Sequence, residues 1–353
     1  MKYLTYAVIL FLLAIVSCDL PSEYTVYHWA EHWIAVADNS GQNIRFVHRS
    51  VRLNYNTDYL RSFRENGNLK ILDADFNKII VMDADGQNAK TIVTGADYIG
   101  RCSVSYDGKY IAFPLKGNIY TATIDGEQRN AITQDTSFYD SAPYFSPVNA
   151  EIVFVRNWEK SKKAAIMLMS ESGDQITKIT DNFADPSQIK SFSYPTFGKD
   201  GQRIYFNYYN GDVTSGIYVI DRNGQNKKLI FSSVAIGNPI EISPDGRVGF
   251  AFSGQLYVSD AQGNQIIRLG NQFEIGHPPY RFSFSVTGDS LILSDGEYYN
   301  AKVKIIELAT QKETIVTTGW SPSFLPDGRI LFVGKKWYES KNSKDMPYDR
   351  IFF

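Results

Sequence analysis

The sequence predicts an all-β protein folded as a β-propeller, and three observations support this prediction. A hairpin made of turn residues followed by an apolar strand recurs along most of the 353 residues. A second kind of hairpin alternates with the first, so that each repeating unit contains four strands. The unit is about 40–45 residues long, which is typical of a propeller blade.

The first kind of hairpin is clearest at Ser243-Pro244-Asp245-Gly246. Proline presets φ at the second turn position, and glycine accepts the positive φ that ends the turn. A β-prone run from Val248 to Phe252 follows it. Seven turns of this kind occur, with the central residues Asn66-Gly67, Asp107-Gly108, Val148-Asn149, Asp200-Gly201, Asp245-Gly246, Thr287-Gly288 and Asp327-Gly328.

The second kind of hairpin is an apolar strand that leads into an acidic residue and a turn, which contains glycine in all but the last unit. Another strand follows the turn. This pattern also occurs seven times, with the acidic residues Asp38, Asp83, Asp125, Glu171, Asp221, Asp260 and Glu307. Strands of this kind cannot bury both faces alone, so the blades are expected to pack against one another around an axis.

The order of the hairpins predicts how the ring closes. The chain opens with a second-kind hairpin, Ile34 to Val47, and ends with a first-kind hairpin, Ser321 to Val333. Each is half a blade, so together they predict one blade built from N- and C-terminal strands, which removes open sheet edges. The spacing favours seven four-stranded blades, with six as the alternative. Tyr348 to Phe353 are an alternative source of the third strand of the closing blade.

The N-terminus has the pattern of a signal peptide. Lys2 is followed by an apolar run from Tyr6 to Val16, which is too short for a typical membrane span. The residues Ile15-Val16-Ser17-Cys18 resemble a bacterial lipobox, which implies cleavage before Cys18 and lipid on its sulfur. We expect a lipoprotein signal peptide at 1–17, an anchor and linker at 18–30 and the propeller at 31–353. The expected location is the cell envelope, periplasmic or surface-exposed, with the lipid as membrane anchor.

Three of the first-kind hairpins resemble the WD-like repeat of the TolB family and of the propeller domains of prolyl oligopeptidases. The matching residues are Phe145-Ser146-Pro147, Ile242-Ser243-Pro244-Asp245-Gly246 and Leu325-Pro326-Asp327-Gly328. The resemblance covers roughly residues 30–353 and implies the propeller fold. The Gly-x-Ser-x-Gly elbow of a serine hydrolase domain does not occur in this sequence.

Composition and cysteine content narrow the functional classes. The formal net charge is −2, which gives no basic surface for nucleic acid, so we expect no such partner. The chain has two cysteines, too few for a disulfide framework. With Cys18 assigned to lipid, Cys102 remains, and its setting Arg101-Cys102-Ser103-Val104-Ser105 resembles an inner strand, so we expect a buried structural thiol.

Two patterns suggest metal binding, and a simpler interpretation accounts for each. His28-Trp29-Ala30-Glu31-His32 matches the His-x-x-Glu-His pattern of inverted zincins, which requires a helix, but its neighbours favour a strand. The acids of Asp73-Ala74-Asp75 and Asp83-Ala84-Asp85 do not match an EF-hand loop and fit hairpin turns instead. We therefore expect no metal, no other cofactor and no catalytic residue set.

Long connections between strands are the expected binding segments, because function often lies on loops held by a rigid scaffold. Those singled out are 54–65, 157–163 and 335–341, and His277-Pro278-Pro279-Tyr280 is a further loop near the funnel mouth. Trp, Tyr and basic residues are favoured at binding sites. The candidate binding residues are Trp158, Lys160, His277, Tyr280, Trp337 and Tyr338.

The predicted function is a lipid-anchored, non-catalytic module that binds an envelope protein or a glycan. A glycan lyase or hydrolase that acts in the central funnel is the alternative, which would need paired carboxylates or a metal site there. A purely structural part of a larger assembly is a third possibility.

Overall fold

The computed structural model describes residues 27–49, 59–75, 78–94, 101–158, 163–180, 191–211, 214–232, 240–252, 254–270, 282–296 and 301–340. These residues form 28 β-strands and no helix. The chain divides into two compact units. One unit, 33–334, contains the blades. Of the other, 1–32 and 335–353, only the backbone of 27–32 and 335–340 is described, as the ends of two strands.

The strands form seven antiparallel sheets of four strands, numbered here as blades 1 to 7. Blade 1 consists of β3 (Tyr59–Glu65), β4 (Asn68–Asp75), β5 (Lys78–Asp83) and β6 (Lys90–Thr94). Blade 2 consists of β7 (Ser103–Val104), β8 (Tyr110–Leu115), β9 (Asn118–Thr123) and β10 (Arg129–Ala131). Blade 3 consists of β11 (Phe138–Phe145), β12 (Glu151–Trp158), β13 (Lys163–Ser170) and β14 (Thr177–Lys178). Blade 4 consists of β15 (Ser191–Phe197), β16 (Arg203–Tyr209), β17 (Gly216–Asp221) and β18 (Lys228–Ser232).

The remaining blades follow the same plan. Blade 5 consists of β19 (Ile240–Ile242), β20 (Val248–Phe252), β21 (Gln255–Ser259) and β22 (Ile267–Leu269). Blade 6 consists of β23 (Phe282–Phe284), β24 (Ser290–Asp295), β25 (Lys302–Glu307) and β26 (Glu313–Thr318). Blade 7 is built from β27 (Trp320–Phe324), β28 (Ile330–Ser340), β1 (Tyr27–Ala37) and β2 (Arg45–Arg49), in that order across the sheet.

The composition of blade 7 confirms the predicted ring closure. Its first two strands come from the C-terminal part of the chain and its last two from the N-terminal part. The third strand is β1, so the alternative that assigned it to Tyr348 to Phe353 is wrong. The number of blades is seven, so the six-blade alternative is wrong as well.

Alternating burial along the strands builds one hydrophobic core between each pair of neighbouring blades. Val153 and Val155 of β12 pack toward blade 4, whereas Ile152 and Phe154 pack toward blade 2. Successive side chains of a strand point to opposite faces, which accounts for this division. There are seven such cores among the described residues, including one between blades 7 and 1 around Ile34 and Leu331.

Both kinds of predicted hairpin lie on one face of the ring. The connections between first and second strands and between third and fourth strands form what we call the turn face, which comprises residues 38–44, 66–67, 84–89, 105–109, 124–128, 146–150, 171–176, 198–202, 222–227, 243–247, 260–266, 285–289, 308–312 and 325–329. Backbone hydrogen bonds join the two kinds of turn within a blade, as from Arg222 N to Gln202 O at 2.8 Å.

The turn acids act as local hydrogen-bond acceptors. Asp83 Oδ2 accepts a hydrogen bond from Asn88 Nδ2 at 2.7 Å, and Asp38 and Asp221 accept equivalent bonds from Asn43 and Asn226. Hydrogen bonds from Lys70 and Asn88 lower the pKa of Asp83. These contacts explain why an acid and an amide recur five residues apart in the repeat. No cluster of three or more metal-ligating side chains occurs among the described residues.

Several expectations about single segments can be compared with the strands. Residues 28–32 lie in β1, as their neighbours predicted, and not in the helix that a zincin motif requires. Cys102 is fully buried, as predicted. The expected loop at 54–65 contains the innermost strand β3, and the expected loop at 335–341 is largely the end of β28, so both were wrong as loops. The described part of the chain contains no helix of the length and hydropathy needed for a membrane span.

Candidate functional site in the axial channel

The first strand of each blade lies nearest the axis of the ring. The first strands of successive blades contact one another in the order β7, β11, β15, β19, β23, β27 and β3. We call the space that these strands surround the axial channel. At its end on the turn face it contains a cavity of 340 Å³ that is lined by residues of six blades, among them Arg61, Ser103, Tyr144, Glu241 and Ser323.

Three of the channel strands carry a β-bulge at a residue that precedes proline. Ala142, Tyr194 and Ser321 have φ values of 50°, 53° and 50°, and the pairing register shifts at each of them. A non-glycine residue with positive φ is strained, and a bulge redirects the side chains that follow it. The residues redirected in this way are Tyr144, Thr196 and Ser323, all at the channel wall.

Arg101 is held between two of the bulged strands. Its guanidinium carbon lies 4.5 Å from the centroid of the Tyr144 ring and 5.7 Å from that of Tyr194. It donates hydrogen bonds to Pro195 O at 3.2 Å and to Thr196 Oγ1 at 3.1 Å. A cation between two aromatic rings is stabilised by the negative faces of those rings. The Arg101 charge is therefore fixed in place beside the cavity.

A second arginine forms an ion pair across the channel. Arg61 of blade 1 donates a hydrogen bond to Glu241 of blade 5, and the two blades are not neighbours in the ring. The side chains of Arg61 and Glu241 are 16% and 20% exposed. Both line the 340 Å³ cavity, so solvent and small ligands reach this pair from the turn face.

The phenol of Tyr144 remains a hydrogen-bond donor in this setting. Burial raises the pKa of Tyr144. The positive charges of Arg101 and Arg61 lower this pKa, and the negative charge of Glu241 raises it. The net shift of the pKa is upward. A raised pKa keeps the hydroxyl protonated at neutral pH, so Tyr144 donates and does not carry a negative charge.

Hydroxyl groups link the innermost strands, which share no sheet hydrogen bonds with one another. Ser103 Oγ of blade 2 accepts a hydrogen bond from Phe145 N of blade 3 at 2.9 Å. Ser62 Oγ of blade 1 also links two first strands, but as a donor, in a hydrogen bond of 3.5 Å to Phe324 O of blade 7. Ser323 is the exception at the cavity wall, since it is 2% exposed and its Oγ has no hydrogen-bond partner.

Exposed apolar side chains lie on turns of the turn face whose neighbouring residues line the cavity. Tyr106, Val148 and Val286 belong to the turns that follow β7, β11 and β23, and we call them the apolar collar. They are 54%, 49% and 49% exposed. A partner that covers the cavity would find apolar area to contact at these three turns.

The predicted binding residues lie elsewhere or beyond the described part of the chain. Trp158 ends β12, on the face opposite to the turn face, and its ring packs edge-on against Phe138 with centroids 5.6 Å apart. Trp337 and Tyr338 belong to β28, and their side chains are not described. Lys160, His277, Tyr280 and Cys18 lie outside the described residues. These residues stay predictions.

Sequence reasoning did not identify Arg61, Arg101, Glu241, Tyr144 and Ser323 as site residues. Arg61 lies in a segment that was interpreted as a loop, and Arg61 and Glu241 are 180 residues apart in sequence. One usable signal existed: Ala142-Pro143-Tyr144-Phe145, Tyr194-Pro195-Thr196-Phe197 and Ser321-Pro322-Ser323-Phe324 share a proline two residues before phenylalanine.

Comparisons with known proteins agree with the fold. No protein-family model matches this sequence, and no curated protein matches it. TolB from Acinetobacter baumannii is similar in structure, with 16% identity over 93% of this chain and 69% of that chain and a TM-score of 0.51. An oligogalacturonate lyase from Vibrio parahaemolyticus has 12% identity over 87% of this chain and 98% of its own, with a TM-score of 0.60.

A putative TolB from Agrobacterium tumefaciens has 16% identity over 87% of this chain and 99% of its own, with a TM-score of 0.50. At these identities the shared property is the fold. The chain is thus a seven-bladed β-propeller whose structural neighbours are TolB-like and other β-propeller proteins.

Proposed function

We propose that this chain is a non-catalytic binding module of the bacterial cell envelope, which binds a protein partner across the channel mouth. The apolar collar is the observation that supports this function most directly. Tyr106, Val148 and Val286 are exposed on turns of three different blades, and we infer that a partner that covers the cavity contacts them. Tyrosine is among the residues favoured at the centre of protein interfaces.

The envelope location rests on the lipobox-like sequence Ile15-Val16-Ser17-Cys18. Lipid on Cys18 would hold the propeller at a membrane, since burial of each CH₂ contributes about 0.8 kcal/mol. The test is metabolic labelling with an alkyne fatty acid. The parent chain is expected to incorporate label and to sediment with membranes, whereas Cys18→Ser is expected to lose both properties. Label retained by Cys18→Ser would contradict the anchor.

The binding function is tested by site-specific photo-crosslinking in the native cell. A photoreactive amino acid replaces Tyr106 or Val286 on the turn face, or Ile315, which is 61% exposed on the outer strand β26, as the control. The same partner is expected to be captured at both turn-face positions and not at Ile315. Equal capture at all three positions would contradict a partner at the channel mouth.

Affinity for the captured partner provides the second measurement. Tyr106→Ser combined with Val286→Ser is expected to weaken binding by about thirty-fold, since truncated interface anchors cost about 2 kcal/mol or more. Ile315→Ser is the matched control, because it also removes an exposed apolar group, and it is expected to leave the affinity unchanged. Unchanged binding by the collar variant would exclude the collar as the docking surface.

A glycan lyase is the second candidate, and the structural neighbour named oligogalacturonate lyase favours it. Arg61 at the cavity wall and Arg101 beside the cavity would suit an acidic sugar. Incubation with oligogalacturonate tests this candidate, because an elimination reaction leaves an unsaturated sugar that absorbs ultraviolet light. Growth of that absorbance, lost in Arg61→Gln, would favour the lyase over the binding module.

A further inference from the structure

We propose that Arg61 is the binding residue for a carboxylate of the docked partner, and that Glu241 occupies this place in the free protein. The inference rests on the proposed function, since it specifies what the partner inserts into the channel. Arginine presents a planar pair of donors that matches a carboxylate, and this pairing is strong and directional. Glu241 then acts as an internal competitor that the partner displaces.

The Arg61–Glu241 pair differs from the structural ion pairs of this protein in the blades that it joins. Lys70 pairs with Asp83 inside blade 1, and Arg156 pairs with Asp140 inside blade 3. Arg222 pairs with Glu151 of the adjoining blade. Arg61–Glu241, in contrast, joins blades that are not neighbours, and it does so across a cavity. A contact of this kind is lost without disturbing a sheet.

The cavity wall supplies further donors for an incoming carboxylate. Ser323 Oγ is buried at the wall and has no hydrogen-bond partner, which is costly unless a ligand or water satisfies it. Tyr144 lines the same cavity. Both residues follow a strained bulge, so the backbone conformation that exposes them to the cavity is maintained at an energetic cost.

The dimensions of the site favour a protein segment as the source of the carboxylate. A cavity of 340 Å³ is at the small end of ligand sites. It accommodates an acidic side chain or a chain end, whereas the rest of the partner would rest on the exposed collar residues Tyr106, Val148 and Val286. An acidic oligosaccharide offers less apolar area than a protein surface, so the two valines of the collar favour a protein partner.

The experiment measures fluorescence anisotropy of labelled triglutamate with the purified full-length protein in detergent. The parent protein is expected to bind triglutamate and not amidated triglutamine. Arg61→Gln is expected to weaken binding by at least about thirty-fold, and Ser323→Ala by about three-fold to ten-fold. Arg61→Lys keeps the charge but not the paired donors, and an intermediate loss is expected.

Glu241→Gln decides between a competitor and a structural partner. Removal of a competitor increases the fraction of protein that is ready to bind, so triglutamate is expected to bind about five-fold to ten-fold more tightly. A purely structural pair predicts the reverse, because loss of Glu241 would disorder Arg61. Circular dichroism and the thermal midpoint of each variant establish that the propeller is intact.

Three results would overturn the proposal. The first is equal binding of triglutamate and amidated triglutamine. The second is unchanged or weaker binding of triglutamate by folded Glu241→Gln. The third is binding of trigalacturonate that is tighter than that of triglutamate and equally dependent on Arg61, which would assign the site to a glycan. Failure here is distinguishable from failure of the proposed function. Crosslinks at Tyr106 and Val286 that persist in Arg61→Gln would leave the docking surface in place without a carboxylate site.

Discussion

The most completely buried ion pair of the described residues joins Arg156 and Asp140 in blade 3. Two hydrogen bonds of 2.8 Å connect the guanidinium and the carboxylate, whose side chains are 9% and 2% exposed. Arg156 also lies 4.4 Å from the centroid of the Phe138 ring, and the same ring packs against Trp158. The pair therefore fixes the base of the hairpin that carries the predicted binding residue Trp158.

Removal of one partner of this pair is expected to be costly. Asp140→Ala leaves Arg156 buried without its counter-charge, which is expected to lower the free energy of unfolding by about 3–5 kcal/mol. Denaturant titration measures this loss, and altered Trp158 fluorescence would report the released Phe138 ring. The matched control is Asp327→Ala, whose partner Arg329 is 42% exposed and whose loss should cost about 1 kcal/mol or less. Similar losses in the two variants would contradict the buried role.

At this scale the sequence alone was informative for Cys102 and uninformative for the channel. Cys102 lies in a segment that resembles an inner strand, and a free cysteine is among the residue types most often buried. Arg61, Arg101 and Glu241 resemble ordinary polar residues near strand ends, because nothing local distinguishes a side chain at the axis from one at the surface. Their roles depend on contacts between blades that are far apart in the sequence.

At the scale of single elements, the glycine-containing turns position each blade against the one before it. An ideal Cβ on Gly173 would lie 2.2 Å from the carbonyl oxygen of Ile132, which belongs to the preceding blade. Gly246 has nearly the same backbone conformation, with φ of 91° against 88°, but no atom within 4 Å of an added Cβ. The two glycines share a conformational role, and only Gly173 also has a packing role.

This difference gives a matched pair of substitutions. Gly246→Ala is expected to cost about 1–2 kcal/mol, the penalty of a left-handed conformation for a residue with a side chain. Gly173→Ala carries the same penalty and a collision with the neighbouring blade, which adds about 1–3 kcal/mol. Thermal and denaturant unfolding measure both. Equal destabilisation would show that the contact between blades 2 and 3 tolerates the extra methyl group.

Elements with local turn chemistry were predictable, and elements without it were not. All fourteen turns of the turn face coincide with hairpins read from the sequence, because Asp, Asn, Pro and Gly specify turn geometry by themselves. Strand β3 and the end of β28 from residue 335 onward were misread as loops, since their charged residues weaken the alternating pattern. The bulges were missed because a positive φ before proline runs against the preference of that position.

At the scale of the whole molecule, blade 7 joins the two ends of the propeller. Ile34 and Val36 of β1 are buried with Leu331 and Val333 of β28 in the core that blade 7 shares with blade 1. Full burial of each such side chain contributes about 1.5–3 kcal/mol. Losing this hairpin would remove stabilisation comparable to the 5–15 kcal/mol that holds a typical domain together.

Deletion of residues 27–49 tests the closure. The remaining chain would have an unpaired edge at β28, and such an edge templates association with other chains. We expect dimers or larger species by size-exclusion chromatography with light scattering, and recovery of a monomer when a synthetic peptide of residues 27–49 is added. A monomeric deletion variant with the thermal midpoint of the parent would contradict a ring that depends on this hairpin.

The number of blades followed from periodicity, because each unit repeats the same turn chemistry at nearly constant spacing. The closure followed from the half blades at the two ends. The axial channel did not follow from either, since the repeat predicts where strands lie and not which side chains differ from the repeat. A functional site in a repeat protein is made of those differences.

The glycine contacts also relate the geometry of the ring to the order in which a ribosome makes it. Gly173 lies against Ile132, Gly224 against Ile179 and Gly263 against Ile230. In each case the isoleucine of the preceding blade is synthesised before the glycine that contacts it. Nascent chains fold from the N-terminus as they emerge, so these blades add one at a time to a finished surface. Gly41 is different, because it rests on Val316, which is made almost last. The first hairpin to leave the ribosome can therefore pack early against blade 1, but it gains its contact with blade 6 only when nearly the whole chain has been made.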